Sequence, residues 1–150
     1  YYKQEDNMSY RDKSNQSGDI SETAIKLDLI KKGYIVLEPS SRDCVYDLVV
    51  DVGDSFQTVQ CKTMCNNSIT KIVDRSNEVV SVGGKTRNSL DYAKHGVNWL
   101  AGYQKQTGEM FYYKLETYGA IPKKSFSVLK HPQDGFPVRT VPSRHTKRQK

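Results

Sequence analysis

The sequence predicts an α/β fold in which one N-terminal helix is followed by a sheet built from hairpins. Three observations lead there. A helical stretch opens at the N-cap candidates Ser17-Gly18-Asp19, runs to about Lys32 and stops at Gly33. An apolar run, Val45–Val50, and an alternating run, Phe56–Lys62, flank Gly53-Asp54, a dipeptide suited to a tight turn. A second pair, Val97–Tyr103 and Glu109–Lys114, flanks the turn Gln106-Thr107-Gly108.

The elements follow in order. Residues 1–16 are polar and aperiodic and read as a flexible lead. In the helix, Ile20, Ala24 and Leu27 form one stripe, and Glu22, Ile25 and Leu29 another on nearly the opposite side. Glu22 therefore lies among apolar residues. Its ordinary reading is an acid favoured by the dipole at the helix start. Tyr34–Glu38 reads as a strand and Pro39–Asp43 as a loop. In the first hairpin, a loop at Gly53-Asp54 sets Val52 opposite Ser55, and stepping outward places Asp47 opposite Gln60. Side chains alternate along a strand, so Asp47, Gln60 and Lys62 would share one face. A three-residue loop would break this register.

Met64–Asn67 reads as a turn, Ile69–Val73 and Glu78–Val82 as short strands, and Gly83–Asn88 as a flexible basic loop. Ser89–His95 reads as a short helical turn, and another short helix is expected near Lys124-Ser125-Phe126. The division is a lead at 1–16, a folded domain at 17–130 and a basic, irregular tail at 131–150.

Composition bounds the function. At 150 residues, 36% of them hydrophobic, one domain with a modest core is expected. The mean hydropathy of −0.71 gives a polar surface. Ten tyrosines suit wet interfaces. A net charge of +6 and a pI of about 9.2 favour a polyanionic partner. From Arg139 to Lys150 there are five Lys or Arg and no acid. No apolar run approaches the roughly 20 residues of a membrane span. Tyr1–Asp6 does not read as a signal peptide. The three cysteines, Cys44, Cys61 and Cys65, point to free thiols in a reducing compartment, hence the cytoplasm. Cys61-x3-Cys65 lacks a second close pair, and His95, His131 and His145 are distant, which argues against structural zinc.

Charged residues are rarely buried unless paired or bound to metal. Asp47 and Lys62 on adjacent strands, with Glu22 on a nearby helix, have the chemistry for phosphodiester hydrolysis. Carboxylates of Glu22 and Asp47, with the backbone carbonyl of Cys61, would hold a divalent cation. Lys62 would position or deprotonate water and screen charge. The ordinary reading makes Asp47 an edge-strand solubiliser and Lys62 an exposed strand end. Lys71, Arg75, Lys85 and Arg87 are candidates for a DNA-facing surface, or else an ordinary solvated basic face.

Gly18-Asp19-Ile20-Ser21-Glu22, Tyr46-Asp47-Leu48-Val49 and Val59-Gln60-Cys61-Lys62-Thr63 carry a resemblance. The chain resembles the PD-(D/E)xK nuclease superfamily, above all its small homing endonucleases encoded in bacterial group I introns. It is also similar to the archaeal Holliday-junction resolvases, which share the core. The resemblance covers residues 17–65 and is compatible with 66–116. It implies an αβββαβ core with a central mixed sheet flanked by helices. It also implies Mg²⁺-dependent cleavage of double-stranded DNA, with Mn²⁺ able to substitute, by a homo-oligomer (dimer or tetramer). By position it assigns metal binding to Glu22 and Asp47, and catalysis to Lys62 together with Gln60. Tyr46 stands where the motif has Pro. Gln60 stands where most members have an acid, though intron-encoded members use Gln there. One fewer charge at the site also leaves open a noncatalytic nucleic-acid-binding module on the same fold.

Overall fold

Helix α1 spans Lys13–Lys31 in the computed structural model, which describes residues 13–41, 43–70, 79–80, 86–87, 96–118, 125–130 and 132–140. It begins four residues before Ser17, so the lead expected over 1–16 gives way to helix at its end. Ser17 and Gly18 are interior residues rather than caps. A Cβ on Gly18 would meet no neighbouring atom, so the glycine costs helix propensity, about 1 kcal/mol, without disturbing packing. The C-terminus is as expected. Gly33 has φ +94°, its amide donates to Ile30 O (2.9 Å), and the Tyr34 amide donates to Leu29 O (3.1 Å). This closes the helix with two otherwise orphaned carbonyls satisfied.

Seven strands form one mixed sheet: β1 (Ile35–Leu37), β2 (Leu48–Asp51), β3 (Phe56–Cys65), β4 (Ser68–Thr70), β7 (Trp99–Tyr103), β8 (Met110–Lys114) and β9 (Ser125–Ser127). Two more, β5 (Val79–Val80) and β6 (Thr86–Arg87), pair with each other in a second, two-stranded sheet. A one-turn helix α2, Leu115–Tyr118, follows β8. The long β3 organises the sheet. It pairs antiparallel with β2 at its start, parallel with β7 through its middle, Val59–Thr63, and antiparallel with β4 at its end. β1 flanks β2, β8 flanks β7 and β9 flanks β4.

Both predicted hairpins form. The first keeps its register: Val52 N donates to Ser55 O across Gly53-Asp54, and Leu48 lies opposite Val59. Two expectations fail. Met64 and Cys65 extend β3 instead of turning, and the turn comes at Asn66-Asn67, with Asn66 at φ +53°. The helix expected near Ser125-Phe126 is strand β9, because Ile69 on β4 offers Phe126 a ladder partner that local propensity does not encode. The helical turn expected at Ser89–His95 lies outside the described residues.

The core lies on both faces of the sheet. Ile25 and Leu29 of α1 pack on Leu48, Val50, Val52, Val59, Trp99, Ala101 and Tyr112. Met64, Ile69, Val97, Leu100, Tyr113 and Leu115 fill the other face. β7 is buried on both sides, which its unbroken apolar run reflects. Of the two helix stripes, the one with Ile25 and Leu29 faces the core, while Ile20 and Leu27 stay half-exposed.

Residues 132–140 have no regular structure, yet they are not a tail apart from the domain. Phe136 stacks on Trp99 (centroids 4.3 Å apart) and meets Tyr34 and Tyr112 edge-on. The Thr140 amide donates to Val52 O (2.9 Å) and the Asp134 amide to Tyr112 O (3.0 Å). The segment straps the α1-side core shut.

Candidate active site

The site forms where β2 runs out. The β2–β3 ladder stops at Leu48 opposite Val59. Asp47 therefore precedes the strand instead of lying within it, and it is not Gln60's ladder partner. Its amide donates to Val59 O (2.9 Å). Its carboxylate Oδ2 accepts the Cys61 amide at 2.8 Å, the donor that continued pairing would have given to Tyr46. The carboxylate is thus held at the side of β3 by a charge-assisted bond. In a strand the amide and carbonyl of one residue point the same way, so the Cys61 carbonyl faces the same side as Asp47.

Glu22 approaches from α1. It is half-buried, and its pKa is raised, first by burial and then by the neighbouring carboxylates of Asp47, Glu38 and Asp19, with Lys26 opposing. Lys26 is itself paired with Glu38 (3.1 Å). Cys61 packs against the α1-side core, as expected for a residue turned from the catalytic face. Burial pushes its thiol well up, Asp47 and Glu22 push it further, and Lys62 opposes them. Glu22, Asp47 and Lys62 therefore all lie within electrostatic reach of Cys61 on β3. Lys62 lies opposite Gly102 and Gln60 opposite Leu100, both half-buried. Alternation gives Gln60 and Lys62 the face opposite Cys61.

The donor set suits a hard cation. Two carboxylates and a main-chain carbonyl would offer oxygen ligands, and the neighbouring carboxylates that, after burial, raise the pKa of Glu22 are what a divalent ion would offset. Among the described residues no three His, Cys, Asp or Glu side chains form a metal cage. Such a site would leave the rest of the coordination shell to water and phosphate oxygens, as Mg²⁺ sites do.

The basic candidates fare differently. Lys71, Arg75 and Lys85 lie outside the described residues, and of Arg87 only the backbone is described, opposite Val79 in the β5–β6 ribbon. Sequence reasoning missed Lys26 and Glu38. The i,i+4 spacing of Glu22 and Lys26 on one helix was the available signal. Among the described residues no helix is long and apolar enough to cross a membrane.

The profile of the PD-(D/E)XK endonuclease family matches residues 12–134. The fold is similar to that of a bacterial homing endonuclease, I-Ssp6803I, with a TM-score of 0.53 and 17% identity over 81% of this chain and 82% of that one. No curated protein matches. With α1, the β2–β3 hairpin and the parallel β7 all inside the matched segment, the chain belongs to the PD-(D/E)XK endonuclease family.

Proposed function

We propose that the protein is a site-specific, homing-type endonuclease that hydrolyses double-stranded DNA with a divalent cation, Mg²⁺ or Mn²⁺ in its place. The observation that carries this reading is the Asp47–Cys61 bond, which holds a carboxylate beside the strand that bears Lys62 while Glu22 stands in electrostatic reach. Glu22, Asp47 and the Cys61 carbonyl would hold the cation. When bound, it would polarise a phosphate oxygen and lower the pKa of coordinated water. Lys62 holds the attacking water and screens the negative charge that builds on the phosphate oxygens. The water oxygen bonds to phosphorus as the bond to the leaving oxygen breaks; the water gives up a proton to solvent and the leaving alkoxide takes one from it. Gln60 offers an amide dipole where an acid would add a charge, so more of the cation's hold falls on Glu22. The likeness to a homing endonuclease, together with Gln60, favours this reading over a junction resolvase. Lys71, Arg75, Lys85 and Arg87 would contact the duplex, and a homo-oligomer, dimer or tetramer, would extend the footprint and cut both strands. A reducing cytoplasm suits its free cysteines.

The test is cleavage of supercoiled plasmids carrying randomised inserts, and of a synthetic four-way junction, in Mg²⁺ or EDTA, by wild type and Asp47→Ala. Metal-dependent cutting at a discrete site, lost in the variant, is expected. Cutting of the junction alone would identify a resolvase. DNA binding with neither cutting nor calorimetric Mg²⁺ binding would identify a noncatalytic module.

A further inference from the structure

The residue before Glu22 and the residue after Lys62 touch. Ser21 Oγ and Thr63 Oγ1 lie 2.5 Å apart. Ser21 Oγ also donates to Ser17 O at 3.0 Å, and Thr63 Oγ1 lies 3.4 Å from the same carbonyl. Two hydroxyls and one helix carbonyl thus form a closed triangle in which either arrangement of protons leaves every group bonded. Ser21 is only 1% exposed, one of two buried polar residues among those described. Elsewhere α1 meets the sheet through the apolar side chains of Ile25 and Leu29 and through Asp28, whose Oδ2 accepts from the Tyr112 hydroxyl at 2.5 Å. The hydroxyl pair is the directional contact next to Glu22, nearly two turns before Asp28.

We propose that Ser21 and Thr63 are positioning residues: a polar clasp that fixes α1 on β3 and thereby sets Glu22 at working distance from Asp47 and Lys62. The inference rests on the reading of Glu22 and Asp47 as cation ligands. Its geometry follows from the sequence neighbours alone. A helix shift that opens the clasp carries Glu22 with it, while Asp47 stays tied to β3 through Cys61. Small hydroxyl residues at both positions let the backbones approach. Thr63→Val keeps the shape and removes only the hydroxyl, leaving Ser21 its bond to Ser17, so the fold survives the change.

The test measures Mn²⁺ affinity by electron paramagnetic resonance on DNA-free protein, alongside cleavage, DNA binding in EDTA and thermal unfolding. Ser21→Ala, Thr63→Val, their double variant and Thr63→Ser are compared with wild type. Thr63→Val and Ser21→Ala are expected to weaken Mn²⁺ binding about tenfold, the usual effect of removing a group that orients a ligand. DNA binding in EDTA should be unchanged. Thr63→Ser should restore the affinity, and the double variant should bind Mn²⁺ no more weakly than the singles, because the Ser21–Thr63 bond is the loss common to all three. Wild-type Mn²⁺ affinity in Thr63→Val overturns the clasp, as does a loss that tracks unfolding and is not restored by Thr63→Ser. If wild type itself neither binds Mn²⁺ nor cuts, the cation site fails and the clasp with it, a pattern distinct from failure of the clasp alone.

Discussion

Asp47 has two tasks, and they separate by charge. Its Oδ2 satisfies the Cys61 amide, a structural duty that any acceptor at the same place fulfils. On the proposed reading its negative charge would serve the cation. Asp47→Asn keeps an acceptor and deletes the charge, so cleavage should fall on the order of 100-fold or more while the unfolding midpoint moves by about 3 °C or less. Asp47→Ala would lose both, since it leaves a half-buried amide unpaired. Glu22 gives the complementary signature. Its folded pKa is raised, so the folded state binds the proton more tightly than the unfolded chain does. The cost of holding this carboxylate ionised is absent below the unfolded value of 4.5 and complete once pH passes the raised folded value. In EDTA, Glu22→Gln should therefore unfold at a higher temperature than wild type at pH 7 and at the same temperature at pH 4. An equal gain at both would mean that burial of charge is not the cause. The nearness of Glu22 and Asp47 was legible in the sequence because acids amid apolar runs call for a reason. The Asp47–Cys61 bond was not, because the register argument assumed that pairing continues through Asp47.

At the scale of elements, what was legible was local. Gly33 and Gly53-Asp54 mark their turns because few other residues take those angles, and the hairpin register follows from the turn. The start of α1 was not legible, since Ser17 and Asp19 serve as well inside a helix as at its cap when tertiary contacts hold the preceding turn. Nor was the strap at 132–140, whose aperiodic sequence gives no sign of where Phe136 docks. That docking yields a prediction. Phe136 contacts three aromatic rings but is only half-buried, so Phe136→Ala should cost about 2–4 kcal/mol, toward the lower end of core Phe truncations. Gly53 reports on the same strap from the other side. It has φ +102°, and a Cβ there would stand 1.8 Å from Thr140 O, so Gly53→Ala must push the strap off as well as strain the turn. Hydrogen exchange should show faster exchange at the Thr140 and Asp134 amides in both variants. Protection that persists in Gly53→Ala would mean the turn, rather than the strap, yields.

At the scale of the molecule, the parallel pairing of β3 with β7 makes one sheet of two hairpins, and it is the feature local sequence encodes least. Trp99-Leu100-Ala101-Gly102 reads as apolar, but nothing in that run names β3 as its neighbour. The consequence is that α1, the first hairpin and the second share one core, so the proposed cation site would be linked to global stability. A ligand that binds only the folded state stabilises it by mass action, about 2.7 kcal/mol at one hundred times its Kd. For a chain of this size that is about 5–10 °C in the unfolding midpoint. Mg²⁺ at such a concentration should raise the midpoint of wild type by this much relative to NaCl at equal ionic strength. Asp47→Asn should lose most of the shift and Glu22→Gln part of it, because the remaining ligand still attracts the ion. Phe136→Ala, which lowers the midpoint without touching the site, should keep the whole shift. Retention of the full shift in Asp47→Asn would place the cation elsewhere on the molecule and remove the basis for assigning Asp47 as its ligand.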